Sequence, residues 1–77
     1  MTLNVKYFGL LVEITECSEE TIVFSKSSIS ELLELLFEKY PNLKEKDFQV
    51  AQGNEIISKN TIISKSEIAL LPPFSGG

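Results

Sequence analysis

The chain has 77 residues, 43% hydrophobic and 23% charged, the composition of one small globular domain and not of a disordered segment. Seven lysines, no arginine and eleven acids give a net charge of −4, which argues against nucleic acid, whose binding needs clustered cations to displace counterions. With no His and a single Cys, His/Cys zinc sites, an internal disulfide and a four-cysteine iron–sulfur cluster are excluded.

What remains is too small and too poor in convergent polar groups for a self-contained active site, so a binding or carrier role is favoured over catalysis. The mild acidity suits a basic partner surface, or solubility alone. Cys17 lies among carboxylates in Thr15-Glu16-Cys17-Ser18-Glu19-Glu20, surroundings that work against a nucleophilic thiolate. The opening Met1-Thr2-Leu3-Asn4-Val5-Lys6 lacks the apolar region of a signal peptide, and no run reaches membrane-spanning length. A cytoplasmic protein is expected, with no metal, no membrane and no nucleic acid among its ligands.

Leu3, Val5 and Tyr7 alternate with Asn4, Lys6 and Phe8 at the period of a half-buried strand, and Gly9 interrupts it. Phe8 falls in phase with Asn4 and Lys6, on the face opposite Leu3, Val5 and Tyr7. Leu10-Leu11-Val12-Glu13-Ile14 fits a short helical turn or an apolar loop, and the pattern does not separate them. Thr21-Ile22-Val23-Phe24 reads as a second strand, forming a hairpin-like pair with the first.

The clearest element comes next. Ser28-Ile29-Ser30-Glu31 is a capping box, in which the Ser28 hydroxyl accepts from the Glu31 N–H and Glu31 reaches back. Ile29, Leu32, Leu33, Leu36, Phe37 and Tyr40 then form one continuous stripe at helical spacing, the face expected to meet the core. Pro41 ends the helix, because it disfavours α geometry at Tyr40 and has no N–H to donate. Phe48-Gln49-Val50-Ala51 reads as a third strand and Gln52-Gly53-Asn54-Glu55 as a turn. Glu55-Ile56-Ile57 and Thr61-Ile62-Ile63 are short apolar pieces, and Ser64-Lys65-Ser66 is a further turn.

Glu67-Ile68-Ala69-Leu70-Leu71 is apolar on both faces, the mark of a strand central in its sheet. Pairing the first strand with the last gives it that position. The expected fold is α+β: a β-grasp, ubiquitin-like roll with a mixed sheet packed on one main helix. The domain spans 1–71, and 72–77 form a flexible functional tail.

That tail reads Pro72-Pro73-Phe74-Ser75-Gly76-Gly77. The prolines end the strand and make the tail's root stiff and extended. Phe74 is an aromatic anchor with no evident way back to the core. Gly76 and Gly77 carry no side chain, so a terminal carboxylate could enter a channel too narrow for any Cβ. Two glycines at the last two positions arise by chance in roughly 0.5% of chains, given a glycine usage near 7%. The Pro-Pro-aromatic segment before them makes accident rarer still.

From Glu67 to Gly77 the sequence resembles the C-terminal signature of the molybdopterin synthase small subunit, the MoaD family. Val5-Lys6-Tyr7-Phe8-Gly9 and the capped helix sit where that family has them, so the likeness spans nearly the whole chain. Three departures stand out: Ser64-Lys65-Ser66 replaces a common Asp-Gly-Asp, Gln52 stands where Asn is common, and an Arg often found near Val12-Glu13 is missing. The resemblance implies a sulfur carrier, with no cofactor bound permanently and no catalysis by the chain alone. An ATP-dependent activating enzyme would adenylate Gly77, with Gly76 beside it. A persulfide would then leave a thiocarboxylate there. The large synthase subunit, in an assembly of two small and two large chains, would use this sulfur to build the dithiolene of molybdopterin from a cyclic pyranopterin precursor. Phe8, Leu71, Pro72, Pro73, Phe74 and Ser75 are the expected partner-binding residues. The alternatives are a carrier of the same chemistry for thiazole synthesis or tRNA thiolation, and a β-grasp interaction module with an inert tail.

Overall fold

The structure is a computed structural model and describes residues 1–73. The described residues form five strands, two α-helices and one 3₁₀ helix. They are β1 (Thr2–Tyr7), α1 (Leu11–Thr15), β2 (Glu19–Val23), α2 (Ile29–Lys39), a 3₁₀ helix over Pro41–Glu45, β3 (Gln49–Gln52), β4 (Glu55–Ile57) and β5 (Glu67–Leu71). They form one mixed sheet in the order β2-β1-β5-β3-β4. β1 and β5 run parallel at its centre, and the other neighbours are antiparallel. This is the β-grasp arrangement expected from the two apolar faces of β5.

α2 begins where the capping box places it. The Ser28 hydroxyl accepts from Glu31 N at 3.3 Å, and the Glu31 carboxylate accepts from Ser28 N at 3.1 Å. The next free N–H groups of the first turn are met by backbone: Ile29 N donates to Thr61 O and Ser30 N to Lys59 O. The short piece around Ile62, which bridges Ser28, therefore closes the helix N-terminus. At the other end Tyr40 takes φ −129° and ψ 82°, outside the α region that Pro41 disfavours for its predecessor.

Ile29, Leu32, Leu33 and Leu36 are buried, while Phe37 and Tyr40 pack half-buried at the core margin. They meet Leu3, Val5 and Tyr7 of β1, Ile22 of β2, Val50 of β3 and Ile68 and Leu70 of β5. The stripe is core, as expected. The ambiguous segment after Gly9 resolves as the helical turn α1, whose Leu11 joins that core. The strands are shifted slightly from the expected ranges: β2 starts at Glu19, and β3 runs one residue later than read.

Gln52 explains how the departure at Ser64-Lys65-Ser66 is accommodated. Its amide oxygen accepts from Ser64 N at 2.9 Å and Lys65 N at 3.3 Å, and its nitrogen donates to Ile62 O at 3.3 Å. One side chain thus ties the approach to β5 onto the end of β3. Beyond it Gly53 and Asn54, with φ of 60° and 65°, make the two-residue turn whose left-handed pair matches hairpin twist.

A polar knot closes the other end of the core. Glu20 accepts hydrogen bonds from Tyr7, Tyr40 and Lys39, linking β1, β2 and the end of α2. Burial alone would raise the Glu20 carboxyl, but the Lys39, Tyr40 and Tyr7 hydrogen bonds outweigh it and hold the pKa below 4.5. Burial first, then the Glu20 carboxylate, pushes both phenols well above their ordinary 10.0.

The two shifts act at opposite ends of the pH scale. A lowered acid contributes stability above pH 4.5 that is lost as pH falls through its folded pKa. Raised phenols contribute stability that is complete below pH 10.0 and lost as pH climbs above it. In an alkaline titration, phenolate absorbance from both tyrosines is expected to rise together with loss of the far-UV circular dichroism signal. A phenolate signal appearing near pH 10.0 in the still-folded chain would contradict the knot.

Candidate functional site

The register of the central strands builds the site. Tyr7 of β1 lies opposite Leu70 of β5, and Phe8 N donates to Leu70 O at 3.2 Å, so Phe8 continues the pairing beside Leu71. Gln49 of β3 flanks Leu71 from the other side. One row back, Ile56, Ala51, Ala69 and Lys6 stand side by side across four strands. Both rows lie on the sheet face away from α2, because the alternate positions Val5, Tyr7, Val50, Ile68 and Leu70 are the core.

That outer face is apolar toward the tail and charged away from it. Phe8 is 43% and Ile56 55% exposed, Leu71 is half-buried, and Lys6 pairs with Glu67 at 3.2 Å. An exposed apolar group of this kind, beside the point where β5 ends, is what a partner-docking surface requires.

β5 ends at Leu71, and the chain leaves through Pro72, half-buried, and Pro73, exposed. Gly9 sets how it leaves. Its φ is +61°, and a Cβ built there would lie 2.7 Å from Pro72 Cγ, inside contact distance. Any side chain at position 9 would strain its own backbone and push the tail root aside. Around this point Gly9, Leu10, Leu11, Pro72 and Pro73 line an almost wholly apolar cleft of about 420 Å3, with Lys46 and Asp47 at its rim. Leu10, 69% exposed, extends the apolar surface of Phe8.

Of the expected partner-binding residues, Phe8, Leu71, Pro72 and Pro73 come together at one corner of the domain. Phe74, Ser75, Gly76 and Gly77 lie outside the described residues. Ile56 and Leu10 were not anticipated. Ile56 could not be oriented because the alternation in Glu55-Ile56-Ile57 is too short to give a phase, and Gly9 acts on a residue far along the chain.

Phe8→Ser is expected to leave the melting curve nearly unchanged, since Phe8 is exposed, while weakening binding of any partner that takes the tail. Binding indistinguishable from wild type would remove this corner from the interface.

A five-stranded mixed sheet grasping one capped helix, with a proline-rooted tail leaving its central strand, defines a ubiquitin-like protein of the β-grasp class. The chain belongs to the ThiS family, which it matches over residues 5–77. It is similar to the molybdopterin synthase sulfur carrier subunit of Caenorhabditis briggsae, 31% identical over 100% of this chain and 99% of that protein. Among solved structures it resembles a Pyrococcus furiosus protein assigned as molybdopterin converting factor, subunit 1, with TM-score 0.87 and 19% identity over 96% of this chain and 99% of the other. A structure of subunits 1 and 2 of the Helicobacter pylori molybdopterin-converting factor in complex gives TM-score 0.68 and 28% identity, with 100% of both chains covered. The small archaeal modifier protein 1 of Methanosarcina acetivorans gives TM-score 0.76 and 26% identity over 99% of this chain and 96% of that one. The fold and the MoaD-like resemblance read from the sequence are borne out.

Proposed function

We propose that the chain is the sulfur carrier of a molybdopterin synthase, delivering sulfur as a thiocarboxylate at Gly77. The observation that carries this reading is the relatedness to the Caenorhabditis briggsae carrier subunit over 100% of this chain and 99% of that protein, in a chain that carries Pro-Pro-Phe-Ser-Gly-Gly at 72–77.

A bare carboxylate is a poor acyl donor. ATP on an activating enzyme converts it to an acyl-adenylate with release of pyrophosphate. The outer sulfur of a persulfide then displaces AMP to give an acyl disulfide, and a second thiol cleaves its S–S bond, leaving the thiocarboxylate on Gly77 and a disulfide on the donor. The large subunit accepts this tip, the thiocarboxylate sulfur bonds to the pterin precursor, and water cleaves the acyl–sulfur bond, leaving the sulfur in the nascent dithiolene and returning the carboxylate. Acid–base groups come from the partners, which suits a chain without His. The corner formed by Phe8, Leu71 and Pro72 docks the partner while the tip reaches into its site.

Mass spectrometry of the intact chain, after incubation with the activating enzyme, ATP and a sulfur donor, is expected to show exchange of one oxygen for sulfur. An unmodified mass under conditions that charge a known carrier would reject the reading. The likeness to an archaeal modifier favours one second reading, in which the adenylated carboxylate is passed to an amine of another protein. Conjugates of higher mass, lost when Gly77 is deleted, would favour that reading instead.

A further inference from the structure

We propose that the free edge of β2, with the groove between it and α2, docks an extended segment of a partner protein in which lysines and apolar residues alternate. The sheet order leaves two edges. β4 has only three residues, and short edge strands offer little to pair with. β2 has five, Glu19–Val23, with no proline or lysine to blunt it.

The ladder leaves its outer side open. Phe24 N donates to Met1 O at 2.8 Å and Met1 N to Phe24 O at 2.9 Å, so these two exchange both bonds. Antiparallel alternation then turns the backbone of Ile22 and Glu20 toward β1, and that of Thr21 and Val23 away from the sheet. Among the described residues nothing takes the outward N–H and C=O groups of Thr21 and Val23. They form a template for one more strand, about 4.8 Å away.

Beside this edge runs a groove of about 360 Å3 whose lining includes the apolar side chains of Val23, Phe24 and Leu35. Glu31, Glu34 and Glu38 project along its helix side against the single cation Lys26. Glu31 is engaged in the helix cap, whereas Glu34 and Glu38 form no ion pair among the described residues. An added strand would turn alternate side chains to the two faces. One set would cover Val23, 81% exposed. The other would lie over Leu35, where a lysine buries its stem and brings its ammonium to Glu34 and Glu38.

A second copy of this chain is the wrong occupant. It would bring two acidic α2 faces, each carrying Glu34 and Glu38, toward one another, and like charges across an interface are repelled. The site is also separate from the tail. β1 stands between β2 and β5, so a partner held at this edge leaves the tail root uncovered. The inference therefore does not rest on the proposed sulfur chemistry.

The test is an NMR titration of the isotope-labelled full chain with two capped hexapeptides, one alternating lysine and valine, the other glutamate and valine. The lysine peptide is expected to shift the amides of Thr21, Val23, Glu34 and Leu35, and to lose affinity with added salt. The glutamate peptide should leave them unmoved. Val23→Pro removes an outward N–H without breaking a ladder bond, so the fold should survive and binding should vanish. Glu34→Lys combined with Glu38→Lys, both on the solvent face of α2, should weaken binding roughly tenfold. This double variant carries the test if Val23→Pro fails to fold, and both variants should still accept sulfur at the tip. Shifts scattered over other surfaces, equal binding of both peptides, or β2 shifts caused by self-association without peptide would each overturn the proposal.

Discussion

One residue appended after Gly77 is expected to abolish sulfur transfer while leaving the fold and partner docking intact. In the proposed mechanism the group that is adenylated and thiolated is the Gly77 α-carboxylate. An added residue moves that carbon by roughly 3.3–3.6 Å of extended chain and, if it is not glycine, brings a side chain into a channel expected to admit none. A misplacement of about 1 Å can already cost on the order of a hundredfold in rate. Deleting Gly77 should do equal damage in the other direction, since the tip falls short. Among the described residues the last core position is Leu70, seven positions before Gly77, so the fold is expected to survive both changes. The expected product is a complex that assembles and transfers nothing. The assay is pterin conversion at saturating large subunit with wild-type, extended and truncated chains. Substantial turnover by the extended chain, with the added residue still attached, would show that the reactive group is not this carboxylate.

Local interactions were readable from the sequence, and distant ones were not. The cap of α2 could be read because Ser28 and Glu31 are three residues apart and satisfy each other. The stripe from Ile29 to Leu36 was readable because eleven helical residues give the 3.6-residue period time to declare itself. α1 has only five residues, and a helix of that length has no period to detect. Its existence depends on Leu11 finding the core. β5 revealed its central position through apolar residues on both faces, and its place beside β1 followed from that; the parallel sense of the pairing is visible only in the fold.

The knot around Glu20 left no trace of this kind. Its partners are 13, 19 and 20 residues away, and a glutamate pair in Ser18-Glu19-Glu20 looks like solvated charge. The corner of the site divides the same way. Phe8 and Leu71 could be assigned to a face by counting along their own strands. Gly9 reads as punctuation in the sequence, and its contact with Pro72, 63 positions on, exists only once β1 and β5 lie parallel.

Leu36→Ala is expected to bring the domain close to the edge of folding. Leu36 is fully buried at the centre of the helix stripe, between α2 and the inner face of the sheet. Removing most of its side chain forfeits the transfer free energy of the lost atoms and leaves a cavity that the neighbours fill only in part, at a cost of about 2–5 kcal/mol. Alanine is the better helix former, but by only a few tenths of a kcal/mol, so cavity formation decides the sign. A small domain holds only about 5–15 kcal/mol of total stability. The expected loss in melting temperature is therefore on the order of ten degrees or more. Leu35→Ala is the matched control: one position along the same helix and half-buried, it should cost clearly less. Urea unfolding of both variants checks the claim, because a shifted midpoint at constant slope reports stability alone. Equal midpoints for the two would mean that the helix face is assigned wrongly. Below its melting point, the Leu36→Ala chain should still carry sulfur, since the core only positions the tail and takes no part in the transfer.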